Sequence, residues 1–277
     1  FSEGKPMIRL GVMMSISSLL SVLGTYILQI YISHSGDVNQ VGLYAAGIVI
    51  INSYVGIIFN AMATDYYPRL AAVNQDNNQI REIASTQAFV GLMLITPIIV
   101  LFLIFSSFVI KILYTAEFLL IVAMVSWGIL GTLFKTLSFS MGYIIIAKGD
   151  SNVFLKTAVG FNMLLLAMNI AGYYYGGLTG LGISYFVYYI VHFVVVGWLT
   201  KKLYNFYFSK NFYAVFAICM VLCGLAFVVD SFLPDSIWRY AILAILLVGS
   251  LGWSLYGLNK KMNLKELWQK FINRNRR

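Results

Sequence analysis

Charge is scarce in this sequence. Only 10% of the 277 residues are Asp, Glu, Lys or Arg, against roughly 25% in a soluble domain. That shortage excludes a soluble enzyme, a nucleic-acid-binding module and a disordered scaffold. Cysteine is nearly absent. Cys219 and Cys223 lie one helical turn apart in an apolar run and read as packing residues, with neither a disulfide framework nor metal spacing. No Gly-x-x-x-x-Gly-Lys-Ser/Thr loop occurs, so ATP is not expected to be hydrolysed here. No His/Cys/Asp cluster has metal-ligand spacing, and no metal or other cofactor is expected. No loop is long enough to hold a catalytic domain. A signal peptide is also missing: the chain opens on Phe1 and a polar stretch, as expected of a piece of a longer protein.

Apolar residues are abundant: 60% hydrophobic, 16% aromatic, with mean hydropathy +0.84. They form runs long enough for a helix to cross a bilayer core about 30 Å thick. Eight such runs are predicted, over residues 10–32, 41–63, 88–110, 118–146, 153–175, 178–199, 214–229 and 240–258. The seventh is short, with room to continue to Leu233. β-Barrel strands are shorter and alternate in polarity, so the expected class is an all-α integral membrane protein.

The net charge of +9 then has a different meaning from a nucleic-acid surface. With residues 1–9 cytoplasmic, the loops on that side carry 16 of the 19 basic residues, from Lys5 and Arg9 through Arg69, Arg81, Lys148, Lys156, Lys201, Lys202 and Lys210 to the tail. Lys111 and Arg239 lie opposite. The positive-inside rule therefore places both termini in the cytoplasm. Two segments are expected to lie on the membrane surface as amphipathic helices. One is residues 68–84, with Leu70, Val73, Ile80 and Ile83. The other is the tail, with Leu264, Leu267, Trp268 and Phe271 on one face.

Polar residues inside the spans mark the candidate site. Lys135 is the one Lys, Arg, Asp or Glu near the middle of any span, and Gly128, Gly131, Ser138 and Gly142 share its helix face at steps of three and four. A buried ammonium costs several kcal/mol unless it meets a cavity or a partner. The functional reading is a cation offered to an anionic substrate. The bland one is a lysine snorkelling to an interface or paired with a carboxylate elsewhere. Snorkelling is hard from so deep a position, which favours the cavity. Weaker stripes hold Ser15, Ser18, Thr25 and Gln29 in the first span, Asn52 and Asn60 in the second, Asn162, Asn169 and Tyr173 in the fifth, and Ser184, Tyr188 and His192 in the sixth. Such groups suit a sugar-binding cavity, but helix–helix hydrogen bonds use them equally. His192 has some claim to a pH role because imidazole titrates near neutrality, although packing histidines are commoner. Asp230 and Asp235 flank a turn at Pro234 and read as loop solvation.

Several motifs occur together in order. Val41-Gly42-Leu43-Tyr44-Ala45-Ala46-Gly47 opens the second span, which runs on to Met62-Ala63-Thr64-Asp65-Tyr66-Tyr67-Pro68-Arg69-Leu70. Lys148-Gly149-Asp150 precedes the span with Asn162 and Asn169. Tyr175-Gly176-Gly177-Leu178-Thr179-Gly180-Leu181-Gly182 forms the next turn. The series resembles the second half of the bacterial oligosaccharide (O-antigen type) flippases, polysaccharide transporters of the MATE-like exporter superfamily. The likeness covers about residues 5–202. It implies a second six-helix lobe over residues 1–202, two additional transmembrane helices over 203–259, and a basic amphipathic cytoplasmic tail over 260–277. It also implies translocation of polyprenyl-pyrophosphate-linked oligosaccharide across the bacterial inner membrane by alternating access, without enzymatic chemistry. Lys135 would hold the pyrophosphate, Asn52, Asn60, Asn162, Asn169 and Gln29 would face the substrate, and His192 would be a possible coupling group. The implied partners are that substrate, membrane lipids, the missing N-terminal lobe and a coupling ion, Na+ or H+. A small-molecule antiporter of the same superfamily is the alternative, though it calls for an acidic cavity. A membrane-embedded polysaccharide polymerase or transferase would need a large outer loop or clustered His, Arg and Asp.

Overall fold

The computed structural model describes residues 4–262, with side chains from Ile8 onward except at positions 54 and 55. Among these residues the ordered elements are helical: α1 (Gly4–Ser35), α2 (Val38–Ala72), α3 (Asn77–Leu113), a 3-10 turn (Ala116–Ile121), α4 (Val122–Ala147), α5 (Ser151–Tyr204), α6 (Lys210–Phe232) and α7 (Ile237–Met262). Seven helices are long and apolar enough to cross a membrane, as expected of a multi-pass membrane protein. The predicted tail helix with Leu264, Leu267, Trp268 and Phe271 lies outside the described residues.

Helix α5 is two rods. Its 54 residues would reach roughly 80 Å if straight, far more than a bilayer needs. The backbone leaves helical geometry at Gly176 and at Gly177, where φ is 55° and ψ is −140°. Glycine adopts that conformation at little cost; a side chain does not. Beyond the break the chain returns along itself. Ser184 Oγ donates to Asn169 Oδ1 at 2.8 Å, and the Phe161 and His192 rings stand 4.1 Å apart. Gly172 and Gly180 face each other so closely that a Cβ on either would collide with the opposite backbone. The two arms, residues 151–175 and 178–204, match the expected fifth and sixth spans. The seventh span is not short, because α6 continues to Phe232, with Leu233 as its cap.

Polar contacts tie alternate helix ends together. At one end Arg9 donates to Asn152 Oδ1 at 2.7 Å, Lys148 Nζ to Asn74 O at 2.5 Å and Asn77 Oδ1 at 2.7 Å, and Arg81 to Asn205 O at 2.7 Å. This is the basic end. At the other, Tyr173 donates to Gln40 Oε1 at 2.7 Å and stacks edge-on against Tyr31.

The segment expected on the membrane surface does not lie there. Residues 68–84 comprise the last turns of α2, a short connection and the first turns of α3. Leu70 and Ile80 are fully buried within the protein. At roughly 1.5 Å per residue, α2 and α3 both outreach the hydrocarbon layer. Their overhanging ends bury their apolar faces against each other instead of against lipid.

Helix α4 is the centre of the bundle, packed by α2, α3, both arms of α5 and α6. Its hydroxyls at Thr132, Thr136, Ser138 and Ser140 are buried, yet each donates to a carbonyl three or four residues back. These polar atoms are therefore satisfied inside their own helix. Helices α6 and α7 dock on α3, where Cys219 and Cys223 are buried free thiols, in keeping with packing roles.

Candidate functional site

Lys135 sits at the midpoint of α4, roughly 18 Å along the helix from either end, too far for its side chain to snorkel to an interface. Gly128 and Gly131 on the same face bring α4 against the Ile51 side chain of α2 and the Phe186 backbone of the second arm of α5. The Lys135 Nζ donates to Asn52 Oδ1 of α2 at 3.3 Å. It also lies 5.4 Å from the Tyr189 ring centre and 5.7 Å from that of Phe59. Both distances are within cation–π range.

Among the described residues no carboxylate forms an ion pair with it; the ion pairs there are Arg69–Asp65 and Arg239–Asp230. An ammonium has three N–H donors and no acceptor, and Asn52 occupies one. The charge is held by dipoles and ring faces, so it remains available to an anion.

Two cavities approach this lysine from opposite directions. The first, about 360 Å³, is lined by Lys135, Ser138, Gly142, Asn162, Tyr189 and His192, and extends to Ile146 and Phe154. From Lys135 to Ile146 is roughly 16 Å along α4, so this cavity runs from mid-bundle to the basic end. The second, about 130 Å³, lies towards the other end, between Thr25 of α1, Tyr44 and Asn52 of α2, and Asn162, Asn169 and Tyr185 of α5. Asn162 lines both, and the Lys135–Asn52 contact stands between them.

The structure thus brings Lys135, Asn52, Asn162, Asn169 and His192 along one seam, a few polar groups set among largely apolar and aromatic walls such as Phe139, Ile145, Phe161 and Val196. Asn162 Nδ2 donates to Ala158 O at 2.8 Å within its own helix, leaving its carbonyl oxygen towards the cavities. Asn169 is buried and accepts from Ser184, a helix–helix contact at the edge of the seam. His192 packs on Phe161 and Tyr188, and its Nδ1 is buried without a hydrogen bond. Gln29 is half-buried and Asn60 exposed, and neither lines either cavity. Ser15 and Ser18 donate to carbonyls of α1 itself. Tyr173 belongs to the contact with Gln40 at the bundle's end.

Of the aromatic wall the polar stripes mark Tyr188 alone, and Tyr185, Tyr189, Phe59 and Phe161 come from the structure. Tyr185, Tyr188 and Tyr189 occupy the face that includes His192, and Phe59 and Phe161 close it from α2 and α5. The Tyr-Tyr pair one turn before His192 was the available signal. Asp230 is a correction: its side chain is 7% exposed and pairs with Arg239 at 2.5 Å. It is a buried ion-pair partner, whereas Asp235 is exposed as expected.

No curated protein and no solved structure matches the chain. Residues 1–123 match the model of a family described as polysaccharide biosynthesis protein. The match spans α1 to the 3-10 turn and includes Asn52, and stops short of Lys135 and both arms of α5. Over that stretch the chain is similar to proteins of polysaccharide biosynthesis.

Proposed function

We propose that this chain forms part of a transporter that flips polyprenyl-pyrophosphate-linked oligosaccharide across the bacterial cytoplasmic membrane, with its basic end in the cytoplasm. The observation that carries this reading is the ammonium of Lys135, in no ion pair among the described residues, at mid-bundle between a cavity from the basic end and a polar pocket beyond it. Moving a pyrophosphate through hydrocarbon unaided costs tens of kcal/mol. A fixed cation lowers that cost, and the surrounding amides and tyrosines suit sugar hydroxyls. A single lysine also binds loosely enough to release its cargo, as transport requires. The similarity of residues 1–123 to polysaccharide biosynthesis proteins supports the substrate class.

On this reading Lys135 holds the pyrophosphate, while Asn52 and Asn162 line the path. His192, on the cavity from the basic end, is the coupling group if protons drive the cycle. The remaining lobe of the transporter would complete the cavity wall. Lys135→Ala in the full-length protein is expected to lower surface-polysaccharide export by about 10- to 100-fold, the loss of one charged hydrogen bond. Lys135→Arg retains part of it, and membrane levels of both variants stay normal. Normal export in Lys135→Ala cells would refute the assignment.

A further inference from the structure

At the basic end, α3, α6 and α7 enclose a groove of about 420 Å³. Its walls are apolar, built from Phe89 and Met93 of α3, Phe212 of α6 and Trp253 of α7. A neighbouring hollow of about 440 Å³ shares Ser85, Ser209 and Lys261 with it, so the two join at these residues. The joined mouth carries Arg81, Lys260 and Lys261 against one carboxylate, Glu82.

Arg81 is fixed there. Its Nη2 donates to Asn205 O at 2.7 Å, and its guanidinium lies 4.2 Å from the Tyr207 ring centre. Its Nε–H is buried and has no partner. Guanidinium N–H groups donate and never accept, so the Arg81 side chain lining the hollow suits the oxygens of an anion. Lys260 and Lys261 are exposed and free to converge on the same anion.

We propose that this groove binds an anionic phospholipid, with its phosphate on Arg81, Lys260 and Lys261 and an acyl chain along Phe89, Met93 and Trp253. A free phosphate would satisfy the mouth and leave the apolar wall unmatched. A purely apolar chain would leave three cations facing the single carboxylate of Glu82. Only an amphiphile carrying negative charge matches both halves. Basic hollows between helices at a membrane face are suited to such headgroups. The inference is independent of the transport reading, because none of these residues lines the cavities at Lys135.

Trp253 supplies the test. The full chain is placed in phosphatidylcholine nanodiscs doped with equal small fractions of brominated phosphatidylglycerol or brominated phosphatidylcholine. Trp253 emission is isolated by difference against Trp253→Phe. Brominated phosphatidylglycerol is expected to quench at an apparent affinity about fivefold or more above phosphatidylcholine, the effect of one basic residue at a membrane surface. A Lys260→Gln/Lys261→Gln double variant is expected to lose most of that preference and keep the basal quenching by phosphatidylcholine, which reports an intact groove. Equal quenching by both lipids in the parent chain would overturn the proposal. So would a preference unchanged in both the double variant and Arg81→Gln. A groove closed to both lipids until residues 263–277 are deleted would belong to the chain's own tail and would also overturn it.

Discussion

A lysine in the middle of a transmembrane bundle has to be stabilised by something, and the choice of partner decides what it can do. A carboxylate partner would have neutralised Lys135 and made it structural. An amide at 3.3 Å and two ring faces hold the charge without cancelling it. The Asp230–Arg239 pair shows the opposite arrangement, in which a buried carboxylate is neutralised by the guanidinium beside it. Asp76 illustrates a third role, outside the spans. Its carboxylate caps α3, accepting from Asn78 N at 2.8 Å, Gln79 N at 3.2 Å and Gln79 Nε2 at 2.9 Å. These bonds, the Gln79 amide foremost and with help from the Lys148 cation, hold its carboxyl below the usual carboxylate range. A depressed folded-state pKa means the stabilisation is complete above the unfolded value of about 4 and is lost as pH falls through the folded one. Protection of the first-turn amides of α3 against hydrogen exchange, relative to the intrinsic rate at each pH, is therefore expected to fall on acidification below about pH 4. Asp76→Asn should remove that pH dependence while retaining a cap.

At the scale of elements, the site depends on α5 folding back on itself. Its second arm brings Tyr185, Tyr189 and His192 to the seam, and its first arm brings Asn162. That return requires the Gly176–Gly177 break and the contact of Gly172 with Gly180. Between helices in a membrane, small residues matter because close backbone packing, rather than water exclusion, drives association. Gly180→Ala places a methyl against the Gly172 carbonyl. It is expected to cost about 1–3 kcal/mol, typical of overpacking, read as a lower melting temperature of the detergent-purified full-length protein. Gly224→Ala, where nothing lies within 4 Å of the added carbon, is the control and should leave that temperature unchanged or slightly raised, since Ala is the better helix former.

For the whole molecule, the charge pattern gives the orientation to be tested. Polar ties gather Arg9, Arg81 and Lys148 at one end of the bundle, and Arg239 pairs with Asp230 at the other. With the basic end cytoplasmic, cysteines introduced at Asp37, Glu117 and Asp235 are expected to react with an impermeant reagent from outside intact cells. Cysteines at Lys202 and Lys265 should react only after the membrane is opened. The reverse pattern would invert the topology and point the cavity lined by His192 outward.

Hydropathy alone made the spans legible, including the separation of the two arms of α5, because the cost of placing polar backbone and charge in hydrocarbon is paid locally, residue by residue. The same logic marked Lys135, a charge too deep to be accidental. It did not mark which of the amides and hydroxyls would join that lysine. Asn52 reaches it and Asn60, two turns further along the same helix, does not. Residues 68–84 show the same limit: their amphipathic pattern suited a lipid surface and a protein surface alike, and the overhang of α2 and α3 decided for protein. Asp230 looked like a loop acid until the start of α7 brought Arg239 beside it. The sequence by itself therefore determined which segments enter the membrane and where a charge lies buried. The tertiary structure decided what that charge touches, because partners more than 80 residues apart are chosen by helix packing, which local periodicity does not encode.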